Sequence, residues 1–422
     1  MEQSWQTCLQ CARTLAAVPW HVLLGAVLAT LIGIVVFVYV IVSTVAPKPR
    51  PSFPEETKYR SLARDGSVTE PQQLPSWQEE EEKKKKKKDE KVVLDGTAEV
   101  FMSVVVPAYN EEDRLMGMLE EAVDYLEHEY GTVGSQERED GKQLRSRKVN
   151  GQAKTNGREN GNAGLPGDNI DTTTTTRGWE ILLVSDGSTD KTEEVAFQFA
   201  REHQLSRHPR RHSGPWTSST QEEGVSIPPG TIRVVTLSQN RGKGGAVTHG
   251  MRHVRGRYVV FADADGASKF TDLGKLVTAC RGIEDSRGRG VAVGSRAHMV
   301  GSEAVVKRSK LRNFLMHSFH MILWLLTPPK TATIKDTQCG FKLFSRAALP
   351  DIIPYMHSEG WIFDVEMLML AEFAGIPVAE VPVGWHEVSG SKLNVIRDSI
   401  GMAWGLAILR VAWSLGVYRR RV

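Results

Sequence analysis

The chain has little cysteine, four residues in 422, with Cys8 and Cys11 near its start and Cys280 and Cys339 far downstream. That distribution supplies neither a disulfide framework nor a zinc spacing, and a reducing compartment suits the main body. A strong charge of either sign is also missing. The formal net charge of +3 gives no ground for a nucleic-acid partner, and none is expected. The glycine-rich stretch NRGKGGAVTHGM, Asn240 to Met251, matches neither a phosphate-binding P-loop nor the dinucleotide fingerprint in its spacing. Long uncharged runs are scarce, and the main exception is VLLGAVLATLIGIVVFVYVIV, Val22 to Val42.

A helix of about 20 apolar residues is what a hydrocarbon core requires, so residues 22–42 are expected to form a single membrane anchor. A short lumenal segment, 1–21, would precede it. A cleaved signal peptide needs a basic start and a shorter apolar run, whereas this chain begins MEQSWQ. One arginine, Arg13, lies upstream of the run, while Lys48, Arg50, Lys58, Arg60 and Arg64 follow it. The positive-inside rule then puts the C-terminal bulk in the cytosol. Residues 43–98 are rich in Pro, Glu and Lys and carry EEEEKKKKKKDEK near their end. Such a stretch buries too little apolar surface to offset chain entropy, and a solvated charged linker is expected. Two polar stretches, 131–178 and 207–230, show no apolar period and read as mobile surface insertions.

The hydrophobic fraction of 41% suffices for a sizeable core. MSVVVPAYN, EILLVSDGS, IRVVTLSQN, YVVFADADG and GVAVGSR are short apolar runs ending in small or polar residues, and patterns such as RLMGMLEEAVDYLEHEY and TEEVAFQFAREH separate them. Continuous apolar strands alternating with amphipathic helices indicate an α/β domain, over 99–397, whose parallel sheet is covered on both faces. Ligands bind beyond the carboxyl ends of such strands.

The residues at those ends carry chemistry. Tyr109, Asn110 and Glu111 follow the first strand, and Asp186, Gly187 and Ser188 the second. An aromatic face stacks on a base, and a carboxylate with turn amides holds its polar edge or a ribose hydroxyl. Singly these are a packing tyrosine and an ordinary turn; at adjacent strand ends they converge. Lys243, in the glycine-rich stretch, is placed to neutralise an anion at a helix start, or else the glycines serve close packing. Asp263 and Asp265, in VVFADADGAS, repel each other and cost desolvation unless a cation compensates. Carboxylate oxygens suit Mg²⁺ or Mn²⁺, with substrate phosphates completing the coordination. His317, His320 and His386 read as structural.

Together, VVVPAYNEE, SDGSTDKT, NRGKGGAV, DADGA, GSR and DTQCGFKLF resemble the family 2 glycosyltransferases of the GT-A fold, in the branch acting on polyprenyl phosphates. The resemblance spans Phe101 to about Val417 apart from the two insertions. It implies a Rossmann-like nucleotide-binding half with a mostly parallel central sheet and a divalent cofactor, Mg²⁺ or Mn²⁺. It also implies an endoplasmic reticulum membrane location and a hexosyl transfer of glucose from UDP-glucose to dolichyl phosphate, with inversion, serving protein N-glycosylation. Residue by residue it assigns Pro107, Tyr109, Asn110, Glu111, Asp186 and Gly187 to the nucleotide, Lys243 to the diphosphate, and Asp263 and Asp265 to sugar and metal-diphosphate, with Asp265 the direct metal ligand. Arg296 and Lys342 are assigned to the acceptor phosphate, and Asp336 to orienting acceptor or sugar hydroxyls. Two alternatives stay open: mannosyl transfer from GDP-mannose, and a catalytically silent scaffold that binds a nucleotide sugar. A processive polysaccharide synthase fits less well, since no Q-x-x-R-W stretch or series of spanning helices is present.

A lipid acceptor implies membrane-facing surface. Asn313 to Leu326, after Lys307, Arg308, Lys310 and Arg312, reads either as an interfacial helix or as a buried core helix. Residues 398–422 read as an amphipathic helix lying at the membrane, because Arg410 interrupts the apolar run. Trp404, Trp413 and the Arg419 to Arg421 cluster would sit at the headgroup boundary.

Overall fold

The computed structural model describes residues 19–79, 98–131, 177–217, 223–299, 321–390 and 395–419. The uncharged N-terminal run forms helix α1, Trp20–Val45, longer than residues 22–42 at both ends. Its side chains are exposed along nearly all its length, and it is the one helix among the described residues long and apolar enough to cross a membrane. The 131–178 insertion, apart from its ends, and residues 307–320 lie outside the described residues.

The apolar runs form β3 (Val100–Ala108), β4 (Trp179–Asp186), β5 (Ile232–Leu237), β6 (Gly256–Ala262) and β7 (Val291–Ser295); a small hairpin, β1 (Lys58–Tyr59) with β2 (Gln72–Gln73), precedes them in the chain. With β8 (Phe341–Ser345) and β9 (Val378–Pro382) the main sheet runs β5-β4-β3-β6-β8-β7-β9. All pairs are parallel except those of β8, which runs antiparallel between β6 and β7. The sheet is therefore mostly parallel, as expected, with one reversed strand at its middle.

Successive side chains of a strand point to opposite faces, and both faces here are covered. Val104 and Val106 of β3 pack with Leu119 of α2 (Leu115–Tyr130), Phe199 of α3 (Thr192–Leu205) and Leu276 of α5 (Leu273–Ile283). Val105 packs in a second core with Val247 of α4 (Lys243–Met251), Phe363 of α6 (Phe363–Phe373) and Leu406 of α7 (Val395–Ser414). This is why the strands lack a polar alternation. Pro107 cannot donate a ladder hydrogen bond, and the pairing of β3 with β6 stops at Val105, before Pro107 is reached.

Three expectations about the periphery are corrected. Residues 50–77 are not a solvated linker but a strap bound to the domain. Arg60 exchanges backbone hydrogen bonds with Val234, Leu62, Leu74 and Trp77 are buried, and Trp77 Nε1 donates to the Met251 carbonyl at 2.7 Å. The described parts of the 207–230 insertion also dock: Arg211 meets Asp124 at 2.9 Å, Ile227 is buried, and Gly214 lies against Gly117 closely enough that a Cβ on either would clash with the other's backbone. Composition hides these contacts because scattered apolar residues in polar sequence carry no period.

The third correction concerns α7. Its Leu406, Leu409, Ala412 and Trp413 are buried in the core shared with α6 and with Val42 and Ala46 at the end of α1. Trp413 therefore belongs to the protein interior, not to a headgroup boundary, and edges onto Phe373. Ile400 and Trp404 remain exposed. Helical residues 321–326 behave alike, with Leu323 buried and Trp324 and Leu325 exposed.

Trp77→Ala is expected to cost about 3–5 kcal/mol, the usual range for removing a buried tryptophan. Trp77→Phe should cost less by keeping much of the packing. Thermal unfolding of the detergent-solubilised chain checks both, and equal melting of the alanine variant and the parent would remove the strap from the core.

Candidate functional site

The carboxyl ends of β3, β4, β5, β6 and β7 open onto one crevice, and the reversed β8 brings the preceding segment, Asp336 to Gly340, to the same edge. Asp263 and Asp265 stand just beyond β6. Asp263 pairs with Lys243 Nζ at 2.6 Å, and its backbone N–H donates to the Gly340 carbonyl at 3.2 Å. Gly340 has no side chain because a Cβ there would lie 2.0 Å from Asp263 Oδ2. Lys243, at the first residue of α4, also faces the Trp361 ring at 5.8 Å. Burial works against the Lys243 charge, yet the carboxylates of Asp263, Asp364 and Asp265 together outweigh it and raise the lysine above its ordinary pKa.

Asp265 is pushed above the usual carboxylate range by burial first and then by the neighbouring charge of Asp263. Its Oδ1 accepts from the Ala267 N–H at 3.0 Å, and Arg114 NH1 stands 3.8 Å from Oδ2. Both aspartates keep part of their side-chain surface open, 29% and 27%. Two hard oxygen donors whose repulsion is only partly answered by protein cations fit a divalent ion of the Mg²⁺ or Mn²⁺ type.

The nucleotide residues assigned by resemblance sit at the next two strand ends, in unequal roles. Tyr109 is 40% exposed, which leaves ring surface for a base. Asn110, with φ 55°, is the only described non-glycine residue in the left-handed region. Its Oδ1 accepts from the Thr189 N–H at 2.7 Å and its own N–H donates to Ser188 Oγ at 3.1 Å, so it ties the two loops together. The Glu111 carboxylate is gripped by Arg114 through Nε and NH2, at 2.7 and 2.6 Å. Glu111 thus acts by holding the arginine that faces Asp265. Asp186 is 3% exposed and accepts from the Arg241 N–H at 2.7 Å; burial pushes its pKa up to about 6. Gly187 has φ 70° and would place a Cβ 2.8 Å from the Asn240 nitrogen, so both conformation and contact require glycine.

On the far side, Arg296 and Asp336 are brought together. The guanidinium donates to Asp336 from Nε at 2.7 Å and from NH2 at 2.9 Å, and the Arg296 N–H adds a third bond at 2.9 Å. Burial opposes both charges, but the pairing prevails: Asp336 is held below the ordinary carboxylate range and Arg296 above its own. Lys342 departs from its assignment to the acceptor phosphate. It is fully buried on β8, with Nζ donating to the Cys339 carbonyl at 2.6 Å and to the Asp364 carboxylate. An anion outside cannot reach it, and Lys342 instead underpins the segment that carries Gly340.

Several residues here were missed in the sequence. Arg114 follows Glu111 at the i,i+3 spacing of a helical ion pair, a local signal in NEEDR. Arg241 binds the Glu359 carboxylate through Nε at 2.8 Å and the Arg50 carbonyl through NH2 at 2.7 Å; no local signal links those positions. Asp364 lies in EGWIFDVEML, but its partnership with Lys342 is set by the sheet.

Residues 169–352 match the family described as glycosyl transferase family 2. The chain is 38% identical to a dolichyl-phosphate β-glucosyltransferase of Saccharomyces cerevisiae, covering 92% of this chain and 93% of that one. It is 34% identical to the Homo sapiens protein of that name over 75% and 77% of the two chains, and 36% identical to the Drosophila melanogaster one over 77% and 79%. Among solved structures it is similar to glucosyl-3-phosphoglycerate synthase of Mycobacterium tuberculosis, at 16% identity, TM-score 0.40, covering 78% of this chain and 86% of that one.

The raised pKa of Asp186 has two opposite consequences. A carboxyl whose folded pKa exceeds its unfolded value stabilises the fold at low pH, and that contribution is lost as pH rises through about 6. An ionised carboxylate accepts from a hydroxyl or N–H roughly twice as strongly as a neutral carboxyl, so affinity for a uridine nucleotide should fall as pH drops through about 6. Calorimetric titration of UDP across that window checks it; Asp186→Asn should bind weakly at every pH and lose the titration.

Proposed function

The chain belongs to the dolichyl-phosphate β-glucosyltransferases of glycosyl transferase family 2, and we propose that it moves glucose from UDP-glucose to dolichyl phosphate with inversion at the sugar carbon. The 38% identity to a relative of that name, over 92% of the chain, carries the reading. A strand-end crevice in which Asp263 and Asp265 face Lys243 and Arg114 supports it. The relatives carry the glucosyl name and give the mannosyl alternative no support.

A phosphate monoester has a second pKa of about 6, so near neutral pH its oxygen is already largely anionic and needs no strong general base. Attack on C1 opposite the leaving diphosphate converts an α-linked donor into a β-linked product. The harder task is to bring two anions together, which positioning and charge compensation accomplish. Tyr109 and Asp186 hold the nucleoside, and Lys243 with the N-terminus of α4 faces the diphosphate. Arg296 meets the acceptor phosphate, and Asp336 is a positioning residue that fixes its planar fork. A divalent ion held by Asp265, with Asp263 beside it, would supply further compensation for the leaving group.

The lipid end of the acceptor calls for a membrane surface. Exposed Trp324 and Leu325 on one helix, and Ile400 and Trp404 on α7, supply apolar and aromatic side chains suited to an interface. With α1 as anchor and the basic residues after it, the reading puts the enzyme on the cytosolic side of the endoplasmic reticulum membrane. In its domain scheme residues 99–397 are the catalytic unit.

Membranes containing the chain, given dolichyl phosphate and Mg²⁺ or Mn²⁺, should move label from UDP-glucose into the lipid phase. Label entering only from GDP-mannose would overturn the donor. Asp265→Ala should abolish the metal-dependent transfer. Gly340→Ala, which drives a methyl into the Asp263 carboxylate, should lower kcat by about 10²-fold, the usual cost of a small misplacement, while the far-UV spectrum stays that of the parent.

A further inference from the structure

A second polar cluster involves none of the residues above. Glu120 of α2 and His203 in the last turn of α3 are fully buried, and His212 of the docked insertion joins them. One ligand atom from each lies within 4.8 Å of the others. His203 Nδ1 is 2.8 Å from the Val225 carbonyl. A carbonyl only accepts, so Nδ1 carries the hydrogen and the Nε2 of a neutral ring is a bare lone pair. That lone pair faces Glu120 Oε2 at 3.2 Å, one acceptor opposite another.

Neither His203 Nε2 nor Glu120 Oε1 has a hydrogen-bond partner, although both are buried. Orphaned acceptors in an interior are costly, and a cation between them removes the cost. Gly224 keeps the space open: a Cβ there would lie 2.9 Å from His203 Cε1 and 3.0 Å from Glu120 Oε1. His212 keeps 20% of its side chain exposed, which provides a way in. The outer contacts follow the pattern of metal-ligating histidines: the Val225 carbonyl sets the His203 tautomer, and Glu202 Oε2 lies 2.8 Å from His212 Nε2.

We propose that Glu120, His203 and His212 bind a divalent ion of the zinc class. Two imidazoles and a carboxylate suit that ion, and the fourth position is left for water. The ion fastens the insertion to α2 and α3. Beyond His212 the chain runs to Gly214, against Gly117, and to Pro215, against Gly266 of the DADG turn. The clamp therefore steadies a wall next to the aspartate pair without contributing to the pair itself.

The test uses the full chain in detergent, stripped with chelator and given Zn²⁺ alone, with metal per chain counted by elemental analysis and Co²⁺ replacement followed by its visible spectrum. One tightly held zinc per chain is expected, retained in Asp265→Ala, weakened at least about tenfold in His203→Gln, and accompanied by a tetrahedral Co²⁺ band. His212→Gln, at the open edge of the cluster, should lose zinc while keeping a folded spectrum and Mg²⁺-dependent glucosyl transfer. No zinc uptake by the folded parent, or equal uptake in both histidine variants, would overturn the site and leave a buried Glu–His pair.

Discussion

Mutual repulsion between Asp263 and Asp265, held one residue apart at the end of β6, sets a demand that the surrounding elements answer. Lys243 comes from the first residue of α4 and Arg114 from the turn between β3 and α2, itself steered by Glu111. Each cation stands nearest a different aspartate, and each aspartate keeps part of its surface open. Burial first, and then the charge of Asp263, still holds Asp265 above the usual carboxylate range. A site meant only to hold a strand end would have finished the job with a further cation or replaced a carboxylate. Two carboxylates left in this state attract a divalent cation.

The reversed strand β8 is the device that makes this geometry possible. Running antiparallel between β6 and β7, it enters the sheet from the ligand side, so Gly340 lies directly against Asp263 while Asp336 reaches Arg296. Lys342, two residues further along the strand, is anchored inside by Asp364. A buried lysine is costly unless fully paired, and its pairing here fixes the approach of the Gly340 backbone.

What could be read in the sequence was what is local. The apolar runs and the polar residues ending them are contiguous, so the sheet and the convergence of Tyr109, Asp186, Lys243 and Asp263 were legible. The α1 anchor was legible from length and hydropathy. Lys342 was misplaced because its burial depends on the direction of β8 and on a carboxylate from α6. The strap was misread because Leu62, Leu74 and Trp77 are spread through a Pro- and Glu-rich stretch with no period. In α7 apolar residues surround the helix, and only the packed structure separates inward Leu406 and Trp413 from outward Ile400 and Trp404.

The strap changes how the folded body is joined to α1. Val42 and Ala46 at the foot of α1 share a core with α7, and Tyr418 donates to the Pro47 carbonyl. The catalytic body is thus mounted directly on its anchor, as on a bracket, with no leash between. Trp77 of the strap and Val105 of β3 lie in that same core, so the chain belongs to one folded body at both points. The position of the crevice relative to α1 is therefore set where the chain passes Pro47, and a residue inserted there would break the Tyr418 contact and shift the body on its helix.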